Sequence, residues 1–250
     1  MISCARALCI AGLFFTRFPF RVKGKIEPED LKKSGWVFPI IGAFIGLIGG
    51  TVFLLCSEIG FSPGVCSVLG VLTLILATGG LHEDGLADTF DGCFGGYDKT
   101  TRLNIMRDSQ VGAFGIIALI FSIYLRCIVF IDLSELGLVF IGFIVSGAIS
   151  RGILPLSTIF LDPARVNGMA SKMGKFSPDL SLLSAGLSVV IMMLLIDVLV
   201  VIFICVVVLF AVGIFMIIVK RLLGGYTGDT LGAYQQIAEI VTLLAIGVCA

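Results

Sequence analysis

The chain has 250 residues, of which 58% are hydrophobic and 14% charged, and its mean hydropathy is +1.13. A soluble domain of this length carries far more charge, so the composition places the chain in a membrane. Its 17 basic and 17 acidic residues cancel, leaving no net field to draw a nucleic acid.

Along the chain, the first apolar run, residues 7–15, follows Arg6 and is short. It lacks a small-residue cleavage pattern, so it reads as an interfacial or re-entrant helix and not as a cleaved signal peptide. Charge-poor runs follow at residues 35–57, 62–81, 111–131, 136–161, 180–196, 198–219 and 231–249. Most reach the about 17 to 25 residues that a helix needs to cross a bilayer. Residues 180–219 contain one charge, Asp197, where a helical hairpin is expected to turn. The fold class predicted is therefore all-α: a polytopic membrane helical bundle of about seven transmembrane helices plus a short N-terminal interfacial helix. No proline- or serine-rich linker divides it, so residues 1–250 read as one domain. Gly42, Gly46 and Gly50, spaced by four, would let another helix approach closely. The eight cysteines are scattered without a C-x-x-C pair and read as small core residues.

Basic residues fix the expected orientation. Fifteen of the 17 fall before the first long run, in the loops around residues 99–107 and 165–175, and at Lys220 and Arg221; the intervening loops contain none. Lysine and arginine collect in cytoplasmic loops, so these loops are expected in the cytoplasm and the C-terminus outside. Arg126 and Arg151 lie within apolar runs and should face the bundle interior or a wet cavity, as should Glu239 with Gln235 and Gln236.

The chemistry concentrates in residues 81–92, where Glu83, Asp84, Asp88 and Asp91 accompany the only histidine, His82. On a helix Asp84, Asp88 and Asp91 share one face at i, i+4 and i+7. Like charges so placed repel unless a cation sits among them, and all-oxygen ligands suit Mg2+ or another hard divalent ion. His82 is a candidate to activate a hydroxyl, since imidazole titrates near working pH, and Glu83 is an alternative base or ligand. The same segment continues with Lys99, Arg102, Arg107, Asp108 and Ser109, so acids for a metal and bases for phosphates share one loop. A second polar island, residues 224–230, contains Thr227 and Asp229 on the same expected face. The residues alone indicate a metal-dependent membrane phosphotransferase.

The run from His82 to Gly92, then Ile105, Met106, Arg107, Asp108 and Ser109 with Gly112 and Gly115, then Gly224, Gly225, Thr227, Gly228 and Asp229 with Leu231, Gly232 and Ala233, resembles the cobalamin synthase (adenosylcobinamide-GDP ribazoletransferase) family. The Phe14–Pro19 segment matches that family's start, and Gln110 stands where the family often has a basic residue. The resemblance implies joining of alpha-ribazole, or its 5′-phosphate, to adenosylcobinamide-GDP with release of GMP and a requirement for Mg2+. With it, His82, Glu83 and Asp108 are assigned to catalysis, and Lys99, Arg102, Arg107, Ser109, Thr227 and Asp229 to substrate. Asp84, Asp88 and Asp91 are assigned to the metal. The implied partners are the two substrates and the lipid bilayer of the cell membrane, with the active site facing the cytoplasm; no nucleic acid is implied and a homo-oligomer is left open. A CDP-alcohol phosphotransferase also uses spaced aspartates, but the residue order differs here and the run contains no arginine. A transporter would place its carboxylates near the bilayer midplane, whereas this cluster is expected at a helix end.

Overall fold

A computed structural model describes residues 2–165, 168, 171 and 174–250. Every regular element among them is helical. Helix α1, Cys4–Phe15, is capped by the Ser3 side chain, and its Arg6 ties it to the next segment. That side chain reaches the carbonyls of Lys23 and Lys25 and pairs at 3.0 Å with Asp30 on α2, Pro28–Lys33. After a 3-10 turn at Gly35–Val37 comes α3, Phe38–Glu58, then α4, Pro63–Thr78. Gly79 and Gly80 both take positive φ, 66° and 70°, which residues with a Cβ rarely adopt. They stop α4 and turn the chain by 89° into α5, Leu81–Gly95.

Beyond α6, Lys99–Ile105, and α7, Ala113–Glu135, helix α8, Val139–Gly152, breaks one residue before α9, Leu154–Phe160. Pro155 has no N–H to continue the ladder. The described residues continue with α10, Pro178–Met193; α11, Val198–Leu223; and α12, Gly228–Cys249.

Five stretches, Gly35–Glu58, Ala113–Glu135, Val139–Phe160, Val198–Leu223 and Gly228–Cys249, are long and apolar enough to cross a membrane. A sixth is obtained if α4 and α5 count as one bent span. The expected number of about seven is therefore five to six by length and composition. The difference has a physical origin: the Gly79-Gly80 turn ends α4 after 16 residues, and α10 is also only 16 residues long. The long apolar run does break at Asp197, whose side chain caps α11 at the Leu199 N–H, 2.8 Å. Large apolar side chains remain exposed on α7 (Ile120, Phe121) and α11 (Leu199, Phe210), as a lipid-facing surface requires.

Small residues set the packing. Helices α3 and α8 cross with backbone contact, since a Cβ on Gly42 or Gly46 would run into the carbonyls of Gly147 and Phe143. Gly50 instead lies under the Phe140 ring. Where those helices meet the rest, four charges are buried: Arg126 of α7, Arg151 of α8, Glu83 of α5 and Glu239 of α12. Arg126 pairs with Glu83 at 3.1 Å and with Glu239 at 3.3 Å, and Arg151 pairs with Glu239 at 2.7 Å. Gln236 donates to Glu83 at 3.1 Å and accepts from Ser122 at 2.7 Å. Two positive and two negative groups thus cancel inside the bundle. Arg151 and Glu239 do face the interior, and what they do there is tie helices together.

Candidate active site

Helices α5 and α12 approach backbone to backbone. A Cβ on Gly85 would lie 2.6 Å from the Asp229 carbonyl oxygen, and one on Gly232 would lie 3.2 Å from that of His82. This crossing brings the aspartates of α5 to the first turn of α12. Asp88, half-buried, feels the negative charges of Asp84, Asp229 and Asp91 and the positive charge of Arg165. The Asp229 carboxylate receives the Thr227 hydroxyl at 3.2 Å and stands 4.0 Å from the Arg165 guanidinium. Thr227 itself caps α12, its hydroxyl oxygen accepting the Thr230 N–H.

Asp91 is differently placed. Buried, it accepts the N–H of Gly112 at 2.7 Å and of Gly115 at 2.8 Å, one on each carboxylate oxygen. A carboxylate is well placed at a helix N-terminus, where free amides and the helix dipole both favour negative charge. Any Cβ at residues 112 or 115 would collide with that carboxylate, which explains both glycines. Of the three aspartates on the α5 face, then, Asp91 docks α7 while Asp84 and Asp88 stay with Asp229. Among the described residues no three His, Cys, Asp or Glu side chains form a ready-made metal cage.

Beside the carboxylates opens a basic pocket of about 320 Å³ whose lining includes Lys99, Thr100, Asn104, Arg107 and Arg165. Burial draws the Arg165 pKa below its ordinary value; Asp229 opposes this, and the like charge of Arg107 adds to it. Two guanidiniums acting on one another across an open pocket suit a polyanion. Arg165 also lines a smaller cavity with Thr227 and Asp229, so it joins the basic pocket to the acidic cluster.

Other residues of the loop do different work. Arg102 packs over Gly96, donating to its carbonyl at 3.0 Å and to that of Leu222, at the end of α11, at 3.3 Å. Asp108 is exposed and accepts the Gln110 N–H at 3.1 Å in a turn, and Ser109 beside it is exposed. Glu83 reaches into the bundle to Arg126, away from the acidic cluster. His82 is buried beside Phe15, ring centroids 5.8 Å apart. The loops expected on one face do converge: Lys99 lies against Gly224, Arg165 donates to Leu103, and the Tyr226 N–H reaches Asp162 at 2.9 Å. Lys172 falls outside the described residues.

Residues 7–247 match the model of the family described as cobalamin-5-phosphate synthase. The chain belongs to that family. A relative from Mesorhizobium japonicum, an adenosylcobinamide-GDP ribazoletransferase, is 36% identical over 97% of this chain and 92% of its own length. Proteins of the same name from Azorhizobium caulinodans, 36% identical over 93% of this chain and 92% of theirs, and Shewanella amazonensis, 37% over 95% and 93%, are equally similar. No solved structure matches. The family expected from the aspartate run is therefore the right one, and the chain is a transferase of cobalamin biosynthesis.

Proposed function

We propose that the protein joins alpha-ribazole, or its 5′-phosphate, to adenosylcobinamide-GDP, releasing GMP and forming adenosylcobalamin or its 5′-phosphate, at the cytoplasmic face of the cell membrane. The observation that carries this reading is Arg165, at which an acidic cluster and a basic pocket meet in a chain of this family. A ribose hydroxyl attacks the phosphorus nearest the cobinamide aminopropanol. The new P–O bond forms as the bond to GMP breaks, and the hydroxyl proton passes through water to the departing phosphate. Lys99, Arg107 and Arg165 hold the diphosphate and offset its charge. Asp84 and Asp88, joined by Asp229, are the oxygen donors for magnesium, which when bound would neutralise the diphosphate and the charge gathering on the leaving oxygen. Magnesium commonly takes one or two carboxylates together with substrate phosphates, which agrees with a cluster that gathers carboxylates without closing a cage. His82 and Thr227 line cavities that adjoin Asp229, Asp108 and Ser109 follow Arg107 in an exposed turn, and Arg102 and Asp91 fix the loop and helix that carry these residues.

The direct test is turnover. Detergent-solubilised protein given adenosylcobinamide-GDP, alpha-ribazole and magnesium should release one GMP per corrinoid product, measured by mass spectrometry, and should stop on chelation. With a chiral phosphorothioate at the transferred phosphorus we expect inversion, because among the described residues no Ser-His or Cys-His hydrogen bond is in place to form a covalent intermediate. Retention, or a trapped phosphoryl-enzyme, would eliminate direct displacement.

Orientation is tested separately. Tyr97, 97% exposed on the loop between α5 and α6, becomes a reporter as Tyr97→Cys in a chain cleared of its own cysteines. An impermeant maleimide should label it only after intact cells are opened. Labelling from outside would reverse the assignment.

A further inference from the structure

A further cavity of about 310 Å³ is lined in part by Asp84 and Asp229 and shares no lining residue with the basic pocket. Its inner wall is aromatic: Phe14 and Phe15 from α1, Phe38 from α3 and Phe176 from the segment before α10. These rings contact one another edge to face, at 4.7 Å between Phe15 and Phe38 and 5.6 Å between Phe38 and Phe176. The His82 imidazole joins them. It is 3% exposed, and its Nε2 is buried without a hydrogen-bond partner among the described residues. An orphaned ring nitrogen in an aromatic wall is costly unless a ligand satisfies it.

Resting on the function proposed above, we infer that this cavity receives the lower-ligand riboside, its flat aromatic base among Phe14, Phe15, Phe38 and Phe176, with the His82 Nε2–H donating to the unsubstituted ring nitrogen of the base. The sugar then lies toward Asp84 and Asp229, which line the mouth and belong to the phosphoryl-transfer centre. Three arguments select this occupant. The volume is at the low end for small-molecule sites, which run from about 300 to 1,000 Å³, so a nucleoside fits and a corrin ring does not. The wall offers aromatic rings and one nitrogen, which matches an alkylated benzimidazole; the two carboxylates can only accept, so the O6 and N7 acceptors of guanine would be left with His82 alone. The basic pocket, with Thr100 and Asn104 beside Lys99 and Arg107, is the polar alternative for the guanosine diphosphate. The inference also gives α1 a task. Phe14 and Phe15 close the substrate site, and Arg6 and its bond to Asp30 hold the helix that presents them.

The test measures binding of two probes, alpha-ribazole and GDP, to the detergent-solubilised protein by calorimetry. In His82→Leu, loss of one neutral hydrogen bond should weaken alpha-ribazole about 3- to 10-fold, with GDP affinity unchanged. Phe14→Ala, at a half-buried position that folding tolerates better, should weaken the riboside about tenfold, again without effect on GDP. An indole alpha-riboside, which lacks the ring acceptor, should bind wild type and His82→Leu alike. Weakened GDP with unchanged riboside would put guanosine in the cavity and overturn the inference, as would unchanged riboside affinity in both folded variants. A wild-type protein that binds the riboside but converts no adenosylcobinamide-GDP would instead overturn the proposed reaction and leave the binding assignment standing.

Discussion

Asp84→Asn and Asp88→Asn should each lower GMP release by about 10²- to 10³-fold or more, the scale of losing a charge that stabilises a transition state, while the bundle stays folded. Asp84 is exposed and Asp88 half-buried, and neither carboxylate has a hydrogen-bond partner among the described residues to lose on substitution. Removing one charge even relieves the repulsion that Asp84 and Asp229 exert on Asp88. Stability should therefore hold or rise as activity falls, the pattern of a site that stores unfavourable charge for a cation. Asp91→Asn should behave in the opposite sense. Its carboxylate accepts two backbone N–H groups in a buried site, and an amide can accept only one of them. We expect a loss of stability of about 1–3 kcal/mol from the unmet donor, seen as a lower melting temperature in detergent. Its activity loss should follow the fraction unfolded. Magnesium titration of each folded variant distinguishes the two roles. Near-normal turnover with unchanged magnesium dependence in Asp84→Asn and Asp88→Asn would remove them as ligands.

That division among three aspartates could not be read from their spacing. Periodicity placed all three on one face of α5, and the face is real, but it meets α12 near its start and α7 near its end. The deciding partners of Asp91 lie 21 and 24 residues further on. The signal present in the sequence was Gly112 and Gly115, three apart at the start of an apolar run, which leave room for an anion at a helix N-terminus. Arg165 was legible only as one more basic loop residue, because nothing local marks a side chain that will stand beside Asp229. The aromatic cavity is harder still: its phenylalanines come from three segments, each of which reads alone as ordinary membrane helix or loop. What composition and local pattern did carry, helices, their order, the close approach at Gly42 and Gly46 and the carboxylate run, depends on neighbours within a few turns. The number of spans, five to six against an expected seven, turns on local features too: the positive φ of Gly79 and Gly80 ends α4 after 16 residues and sets α5 at 89° to it, and α10 is equally short.

Glu239→Gln should be among the most destabilising single changes in the chain. Glu239 is 1% exposed and, among the described residues, is the carboxylate that bonds both Arg126 and Arg151. Without it Arg126 keeps Glu83, and Arg151 has no carboxylate partner among the described residues. Breaking a buried pair by removing one partner costs about 3–5 kcal/mol, because the remaining charge is left uncompensated. Arg151→Met should cost less, since Glu239 keeps its bond to Arg126. The decisive case is the double variant, Arg151→Met with Glu239→Gln, which returns the buried core to one positive and one negative group, Arg126 and Glu83. It should be more stable than Glu239→Gln by itself, an interaction energy of about 0.5–3 kcal/mol measurable in a double-mutant cycle of thermal unfolding in detergent. Additive losses would mean that the side chains contribute by packing and not by charge balance. The same cycle reaches function, because Glu83 sits next to Asp84 on α5 and is anchored through Arg126. If the network positions α5, the double variant should recover turnover along with stability; recovered stability without turnover would separate the bundle's integrity from the alignment of its aspartates.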